Sequence, residues 1–387
     1  MLRKLFRKTP LAWFQVTRET TRLAVALAGI AFADMLMFVQ LGILDSLFDS
    51  ATKAHQNLQA DLVLINPQFQ TLFYVKNFPR ERLYQTLSNE GVESVRELYI
   101  NTAQWRNPET RLSRGILVWG IDPANPAFNL PEVNQNLNQL KLLNQALFDQ
   151  ASRPEYGAIP ELVKTDGTVE AQVNDQTLQV TGLFTLGTSF GADGNIITSD
   201  STFLTLFPDN QTNQIAVGLI EVKLGADVEN VRSRLVAVLP NDVKVATPEE
   251  FAQIEKDYWG SQGIGFIFGL GVGVGFIVGI VIVYQILYSD VSDHLPEYAT
   301  LKAMGYGDRY LLGILMQEAL LLAVLGYIPG FLLAIGLYQI AYAATLLPIA
   351  MKLERTVLVL VLTIVMCSIS GAISMRKLQS ADPADIF

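Results

Sequence analysis

Two carboxylates inside apolar stretches are the side chains of this sequence whose chemistry first needs an explanation. Asp34 lies in the middle of "LAVALAGIAFADMLMFVQLGIL", with Gln40 two helical turns further on. Glu318 lies beside Gln317, just inside a later apolar run. An ionised carboxylate in hydrocarbon costs at least about 2.5–3.5 kcal/mol, so each must face protein or water, or be protonated.

Each carboxylate could serve a proton or substrate path, or make a polar contact that only holds helices together. For Glu318, which lies near the end of its run, we favour the structural contact. For Asp34 the two interpretations are equally supported. Because the sequence contains no relay of further acidic residues in these runs, a proton-driven transporter is poorly supported.

Metal, disulfide, nucleotide and nucleophilic chemistry find no support in the sequence. His55 and His294 are far apart and have no cysteine near them, which argues against a His/Cys metal site. Cys367 is the single cysteine, so no intrachain disulfide can form. The sequence has no G-x-x-x-x-G-K-[ST] motif and no nucleophile–base constellation. We therefore expect no bond chemistry, no metal and no cofactor on this chain.

A charged segment between two apolar runs is the strongest candidate for a functional element. It reads "DVSDHLPEYATLKAMGYGDRYLLGILMQEALLL" and begins at residue 290. Pro296 suits the first turn of a helix in which Tyr298, Leu301 and Met304 share one face, and Gly305 ends it. Such a helix could dock a soluble partner that supplies energy, or it could be merely interfacial, which would explain its amphipathic character but not the order of its residues.

The apolar runs must position these residues. Half of the 387 residues are apolar, and the mean hydropathy is +0.29. The chain is thus too apolar for an ordinary soluble domain and too polar to be wholly embedded in a membrane. Four segments approach or exceed the roughly 20 apolar residues that span a bilayer. They lie at about 23–44, 264–288, 311–346 and 357–373.

The third apolar run is longer than one span requires and has Pro329-Gly330 near its middle. It could be one long kinked helix or a tight hairpin. The first 22 residues carry six basic side chains against Glu19, which places the N-terminus in the cytoplasm. Arg376 and Lys377 place the C-terminus there too, so we expect an even number of spans, four. The six basic residues are Arg3, Lys4, Arg7, Lys8, Arg18 and Arg22.

The predicted fold is an α-helical membrane protein with four transmembrane helices and a large mixed α/β extracytoplasmic domain between helices 1 and 2. Residues 46–257 hold 26 Asp and Glu against 16 Lys and Arg, and an acidic external domain argues against nucleic acid. The predicted order is a cytoplasmic segment (1–22), helix 1 (23–44), the periplasmic domain (45–262), helix 2 (263–288), a cytoplasmic loop with the charged helix (289–310), helix 3 (311–346), a short periplasmic loop (347–355), helix 4 (356–375) and a cytoplasmic tail (376–387).

Several elements of the external domain can be predicted. "DLVLINP", "RGILVWGID" and "NQIAVGLIEVKL" are typical of strands, and "FPRERLYQTLSNEG" and "DVENVRSRLVAVLP" of amphipathic helices. A stretch at about 126–209, which contains the strand-like "GTVEAQVNDQTLQVTGLFTLG", is interpreted as an inserted subdomain. Thr247 and Glu250 have capping-box spacing and predict a helix that runs into span two. With "DSLFDSATKAHQNLQA", which continues span one, it would form a stalk.

Glycines recur at four-residue spacing through "GSQGIGFIFGLGVGVGFIVGIVIVYQI" in span two. Residues without a Cβ let helix backbones approach closely in a membrane. The glycines pack either on this chain's own spans or on a second copy. Because they lie on more than one face, we favour a contact between two chains. They are Gly265, Gly269, Gly271, Gly273, Gly275 and Gly279.

The charged segment resembles the E-x-x-x-L-x-A-x-G motif of the FtsX/MacB/LolCE-type permeases of ABC systems. The matching residues are Glu297, Leu301, Ala303 and Gly305. The ending "ADPADIF" and the order of one span, a large outer domain and three spans are also similar to that superfamily. "RKTPLAWFQVTRETTRLAVALAGIAFADMLMFVQLGILDSLFDSA" and "HLPEYATLKAMGYGDRYL" resemble the DevC permeases of cyanobacteria.

The resemblance implies a homodimeric inner-membrane permease whose loop helix docks on a separate cytoplasmic ATPase. The implied partners are a DevA-like ATPase carrying ATP and magnesium, a DevB-like periplasmic adaptor and a TolC-like outer-membrane duct. The implied cargo is lipid-like, as in glycolipid export for the heterocyst envelope. The alternatives are an FtsX-like regulator of a cell-wall hydrolase and a lipoprotein-release permease. The residues assigned to ATPase contact are Pro296, Glu297, Tyr298, Leu301, Lys302, Met304 and Gly305.

Overall fold

The computed structural model describes residues 19–210 and 212–380, with side chains described up to residue 375. The basic residues up to Arg18 and the ending "ADPADIF" lie outside the described residues, as do the side chains of Arg376 and Lys377. The chain forms two compact units. The membrane unit comprises Met1–Ser46, Ile264–Ala344 and Ile349–Phe387, and the extramembrane unit comprises Leu47–Gly263 and Thr345–Pro348.

Helices account for nearly all of the membrane unit, and shorter ones flank the strands of the extramembrane unit. Two short 3₁₀ turns, Thr86–Ser88 and Pro154–Tyr156, belong to the latter. The α-helices are α1 (Thr20–Gln56), α2 (Glu81–Gln85), α3 (Pro131–Leu140), α4 (Ile159–Asp166), α5 (Asp200–Leu206), α6 (Val228–Val238), α7 (Pro248–Ser261), α8 (Ile264–Asp293), α9 (Leu295–Ala303), α10 (Asp308–Thr345) and α11 (Leu353–Ser380).

Among the described residues, four helices, α1, α8, α10 and α11, are long and apolar enough to cross a membrane. The third predicted run is one continuous helix with Pro329 inside it, so the prediction of four spans is confirmed and the hairpin is excluded. A proline removes one backbone hydrogen bond, which a membrane helix tolerates where neighbouring helices support it. Here Gly330 lies directly against Ala31 and Asp34 of α1.

One nine-stranded mixed sheet forms the centre of the extramembrane unit, in the order β11-β1-β10-β3-β4-β8-β5-β7-β6. A small separate pair, β2 with β9, lies outside it. The strands are β1 (Leu62–Ile65), β2 (Phe78–Pro79), β3 (Val92–Arg106), β4 (Ser113–Ile121), β5 (Gln145–Asp149), β6 (Val169–Val173), β7 (Gln176–Phe184), β8 (Asn195–Ser199), β9 (Gln214–Ile215), β10 (Val217–Val222) and β11 (Lys244–Ala246).

Apolar clusters pack on both faces of this sheet. Because side chains of a strand alternate between the two faces, one strand contributes to both clusters. On β3 and β4, Trp105 packs in one apolar cluster together with α5 and α6. Trp119 packs in a second cluster, together with α7 and the end of α1. The strands predicted from "DLVLINP", "RGILVWGID" and "NQIAVGLIEVKL" are all present as parts of this sheet.

The inserted subdomain predicted at about 126–209 is not a separate compact unit. It supplies β5 to β8, which continue the same sheet beside β4. The last of these strands, β6, also pairs with the end of β3, through Trp105 and Val173. The six strands β3, β4, β8, β5, β7 and β6 therefore form a closed ring of paired strands. Two of them, β3 and β4, lie outside the predicted subdomain, so the segment is not independent of the rest of the unit.

The capping box predicted at the start of α7 is confirmed. The Thr247 hydroxyl accepts from the Glu250 N–H, and the Glu250 carboxylate accepts from the Thr247 N–H. The helix does not run into span two, however, because it ends at Ser261 and Gly263 has a φ of 78°. Such a left-handed conformation suits glycine and interrupts a right-handed helix. By contrast, α1 is continuous to Gln56, as predicted.

Candidate functional site

The candidate docking element is α9, whose bounds match the helix predicted from the charged segment. Pro296 lies in its first turn, as predicted. Tyr298 is 2% exposed and packs with Leu311 and Leu315 of α10 in the apolar core of the spans. Tyr298 and Leu301 therefore face the spans, and the predicted common face is wrong for Met304, which is exposed. The physical reason is that α9 lies on the spans with one side, which is where Tyr298 points.

No other described part of the chain covers the outer side of α9. Pro296, Glu297 and Gly305 are exposed, and Met304 is 63% exposed. Lys302 is half-buried, and its Nζ lies 3.6 Å from a carboxylate oxygen of Asp308. Leu301 is half-buried against the core of the spans. The exposed members of the predicted contact set thus lie along the exposed edge of α9, at its two ends.

The end of α9 is fixed by backbone hydrogen bonds. Gly305 has a φ of 92°, and its N–H donates to the Lys302 carbonyl at 3.0 Å. The Tyr306 N–H donates to the Leu301 carbonyl at 3.1 Å. This is the Schellman arrangement, in which a left-handed glycine satisfies the last carbonyls of a helix. Glycine at 305 is therefore required by the turn that presents Met304.

Two exposed tyrosines extend this edge, and the sequence reasoning missed them. The rings of Tyr306 and Tyr310 lie with their centroids 4.7 Å apart, just beyond Met304. Methionine and tyrosine are enriched in protein interfaces because they bury large apolar areas. The aromatic spacing in "MGYGDRY" was the available signal. We call Glu297, Met304, Tyr306 and Tyr310 the docking edge.

An ionic cluster holds the helix that leads into α9. The Arg22 guanidinium on α1 lies 3.2 Å from a carboxylate oxygen of Asp290 and also pairs with Asp293, both near the end of α8. The His294 Nδ1 lies 3.5 Å from the Asp290 carboxylate as well. Glu318 of α10 lines the same small cavity as Arg22 and Asp290. This position agrees with the structural role that we favoured for Glu318.

The other intramembrane carboxylate, Asp34, is fully buried in the membrane unit. The Thr363 hydroxyl of α11 donates to one of its oxygens at 2.6 Å. The Asp34 Cβ packs closely against Gly330 of α10. Asp34 therefore joins α1 to two other spans, which supports the structural interpretation over a transport path. Among the described residues, no group of three or more His, Cys, Asp or Glu could hold a metal ion.

A second polar contact, not foreseen from sequence, ties three spans and a loop together. The Arg355 Nε of α11 donates to the Asp45 carboxylate of α1 at 3.0 Å. The Arg355 Nη1 donates at 3.0 Å to the Tyr338 hydroxyl of α10 and to the Ala350 carbonyl. The Tyr338 hydroxyl in turn donates to the Phe38 carbonyl of α1. Nothing in the sequence pattern linked Asp45 with Arg355, which are 310 residues apart.

We expect Arg355→Met to lower the free energy of unfolding by about 1.5–3 kcal/mol, because buried groups lose charge-assisted hydrogen bonds. Thermal unfolding of the detergent-purified chain measures this effect. Arg309→Met, which removes an exposed arginine of α10, is the matched control. Equal melting temperatures for the two variants would contradict the stabilising role of Arg355.

The glycines of α8 divide into two sets. A Cβ on Gly271 would lie 2.6 Å from the Gln40 side chain, and one on Gly275 would lie 3.4 Å from Met37. A Cβ on Gly279 would collide with Met366 of α11. These three glycines pack on the chain's own spans, which corrects the preference for a second copy. For the remaining three, Gly265, Gly269 and Gly273, no atom of the described residues lies within 4 Å of such a Cβ.

Parts of the chain are similar to known proteins. Residues 264–383 match the family model described as "FtsX-like permease C-terminal". No curated protein matches the chain significantly in sequence.

Two solved structures are similar to part of the chain. The periplasmic region of MacB from Actinobacillus actinomycetemcomitans is 9% identical with a TM-score of 0.36, over 51% of this chain and 94% of that one. The extracellular domain of the noncanonic ABC-type transporter YknZ from Gram-positive bacteria is 13% identical with a TM-score of 0.33, over 49% and 99%. The family match covers residues 264–383, which include α8 to α11.

Proposed function

We propose that this chain is the permease subunit of an ATP-driven exporter and that the docking edge binds a separate cytoplasmic ATPase. The observation that carries the proposal is the presentation of α9. Its inner side is anchored by Tyr298, its end is fixed by Gly305, and Met304 and the two tyrosines that follow it in sequence are exposed.

The anchored position of α9 suits the transmission of force. A push on the docking edge acts on α10 through Tyr298 and on α1 through the ion pairs of Arg22 with the end of α8. Because α1 is one helix from Thr20 to Gln56, a movement of its membrane part also moves its last turns. Those turns pack in the core of the extramembrane unit, where Ala54 contacts the cluster around Trp119.

In this proposal the ATPase, which is DevA-like, carries ATP and magnesium and performs all bond chemistry. The extramembrane unit would be periplasmic and engage a DevB-like adaptor and a TolC-like duct, with both chain termini in the cytoplasm. The cargo would be lipid-like, as in the cyanobacterial DevC permeases that the sequence resembles. The basic residues near the N-terminus, Arg22 among them, support this orientation by the positive-inside rule.

A homodimer is part of the proposal, and the outward glycines of α8 give it a test. We expect Gly273→Leu to weaken the dimer, because a side chain there would separate two closely packed helices. Cross-linking of the chain in lipid bilayers measures the dimer fraction. Gly336→Leu of α10, where a Cβ would also meet no protein atom, is the control. An unchanged dimer fraction for Gly273→Leu would assign this face to lipid.

The alternative function is an FtsX-like regulator of a cell-wall hydrolase, which would share the same docking edge. Affinity purification of the tagged chain in mild detergent, with mass spectrometry of the co-purified proteins, separates the two functions. The proposal predicts a P-loop ATPase together with a periplasmic adaptor. An ATPase together with a wall hydrolase would favour the regulator, and a carrier protein in place of the duct would favour lipoprotein release. Recovery without any ATPase would contradict both the proposal and the regulator.

A further inference from the structure

An aromatic cluster lies on the surface of the extramembrane unit. The Trp259 ring, near the end of α7, lies with its centroid 5.0 Å from that of Phe190 and 6.1 Å from that of Phe73. Phe190 is 50% exposed, and Tyr74, next to Phe73 in sequence, is 72% exposed. The cluster differs in this from Trp105, which is fully buried in the core of the same unit. We call Phe73, Tyr74, Phe190 and Trp259 the aromatic rim.

The aromatic rim is held firmly from below. The Trp259 Nε1 donates to a carboxylate oxygen of Glu255 at 2.8 Å. The same carboxylate accepts from the Thr71 hydroxyl at 2.7 Å and from the Leu72 N–H at 3.0 Å. Burial raises the pKa of Glu255, against the lowering effect of these three donors. One buried carboxylate thus fixes both α7 and the loop that carries Phe73 and Tyr74.

Chain connectivity keeps this rim close to the membrane. Trp259 precedes Ile264, the first residue of the span α8, by five residues. A fully extended chain covers at most about 3.3–3.6 Å per residue, so the two residues are separated by less than roughly 18 Å. On the other side of the rim, the Thr188 hydroxyl donates to the Leu346 carbonyl at 3.3 Å. Leu346 directly follows the last residue of the span α10.

An exposed phenylalanine packed on a half-buried tryptophan, with an exposed tyrosine next to Phe73 in sequence, is unfavourable in water but favoured at the boundary between headgroups and acyl chains. There the apolar ring is buried while the polar edge keeps a hydrogen bond, as Trp259 does with Glu255. We propose that the aromatic rim is inserted in the interfacial layer of the bilayer and binds the lipid surface on the side of the extramembrane unit. This inference requires the membrane spans but not the partner ATPase.

The role that follows is a positioning one. The rim would hold the loop around Phe190 and the end of α7 at a fixed depth, beside the interruption at Gly263 where α7 gives way to α8. The partner is thus the lipid surface itself, and a contact with a second copy of the chain is the competing occupant.

Site-specific fluorescence in liposomes tests this proposal. The full chain carries Cys367→Ser, which removes its single cysteine, together with Phe190→Cys, and is labelled with a polarity-sensitive dye. The chain is reconstituted in phosphatidylcholine vesicles with or without lipids that bear a spin label at the headgroup or at a shallow acyl position. The proposal predicts that the dye on residue 190 emits at a shorter wavelength than the same dye in water. It also predicts that the spin-labelled lipids quench the fluorescence of this dye.

The matched control is Leu224→Cys in the same background, a fully exposed apolar position outside the rim. Both β10 and β4 are antiparallel to β3, and β8 is parallel to β4, so β10 and β8 run in the same direction. Leu224 follows the end of β10, whereas the Phe190 loop precedes the start of β8, so they lie at opposite strand ends.

Equal emission and equal quenching at the two labelled positions would overturn the proposal. So would disulfide formation between two copies of the Phe190→Cys chain without lipid quenching, which would assign the rim to a chain–chain contact. Since no ATPase is present in these vesicles, the result is independent of whether the docking edge binds one.

Discussion

Met304→Asp should abolish the stimulation of the partner ATPase by this chain. Met304 is the most exposed apolar side chain of the docking edge, and a carboxylate there would have to be desolvated when the partner binds. Loss of a central interface anchor costs about 2 kcal/mol or more, which is roughly a 30-fold weaker contact. The ATPase rate of the co-reconstituted proteins, measured against chain concentration, gives the affinity and the maximal stimulation.

Met304→Leu is the matched control, because leucine keeps the apolar volume and should keep the stimulation. A substitution at Tyr298 would not serve, since this side chain is buried among the spans and its loss would disturb the fold. If Met304→Asp inserts normally and stimulates the ATPase like the wild type, the docking edge is assigned wrongly.

Gly330→Leu should prevent the membrane unit from packing. A Cβ at Gly330 would lie 2.8 Å from the Asp34 Cβ and 3.1 Å from the Ala31 carbonyl oxygen. The carbonyl belongs to the backbone of α1, which cannot turn aside as a side chain can. Overpacking of this kind costs about 1–3 kcal/mol, and the displaced α10 would also weaken the contact of Asp34 with Thr363. We expect a lower yield of monodisperse protein and a lower melting temperature.

Gly336→Leu lies on the same helix and has open space around its Cβ position, so it should be tolerated. Size-exclusion profiles and thermal unfolding of both variants give the comparison. Equal behaviour of the two variants would contradict the close approach of α1 and α10 at Gly330.

Local signals in the sequence were sufficient for several elements. The Thr247 and Glu250 pair predicted the start of α7 correctly, because a capping box depends only on residues three apart. The four spans followed from hydropathy, and charge chose one helix over a hairpin for α10. Pro329 did not mislead, because a membrane helix supported by its neighbours accommodates a proline.

Long-range contacts could not be predicted in the same way. The pairing of Asp45 with Arg355 needs two spans to meet, and no local pattern reports which faces do so. The glycines of α8 show the same limit, since four-residue spacing favours close packing without saying against what. The structure places Gly279 on Met366 and leaves Gly273 open, although the two residues look alike in sequence.

The docking element combines features that could be predicted from local sequence with a feature that could not. Its start at Pro296 and its end at Gly305 follow from proline and glycine geometry and were predicted. Tyr298 was wrongly predicted to face outward, because its position in the helical repeat is the same whether its ring is exposed or buried. Only the packing of α9 on α10 decides which side remains free.

Photo-cross-linking at the docking edge tests the central claim most directly. A benzoyl-phenylalanine in place of Met304 is introduced into the tagged chain in its native cells, and irradiated membranes are analysed by mass spectrometry. The proposal predicts a light-dependent adduct with a P-loop ATPase that is missing when the same group replaces Leu224. A chain that inserts normally but forms no ATPase adduct from position 304 would show that α9 is only a helix at the membrane surface.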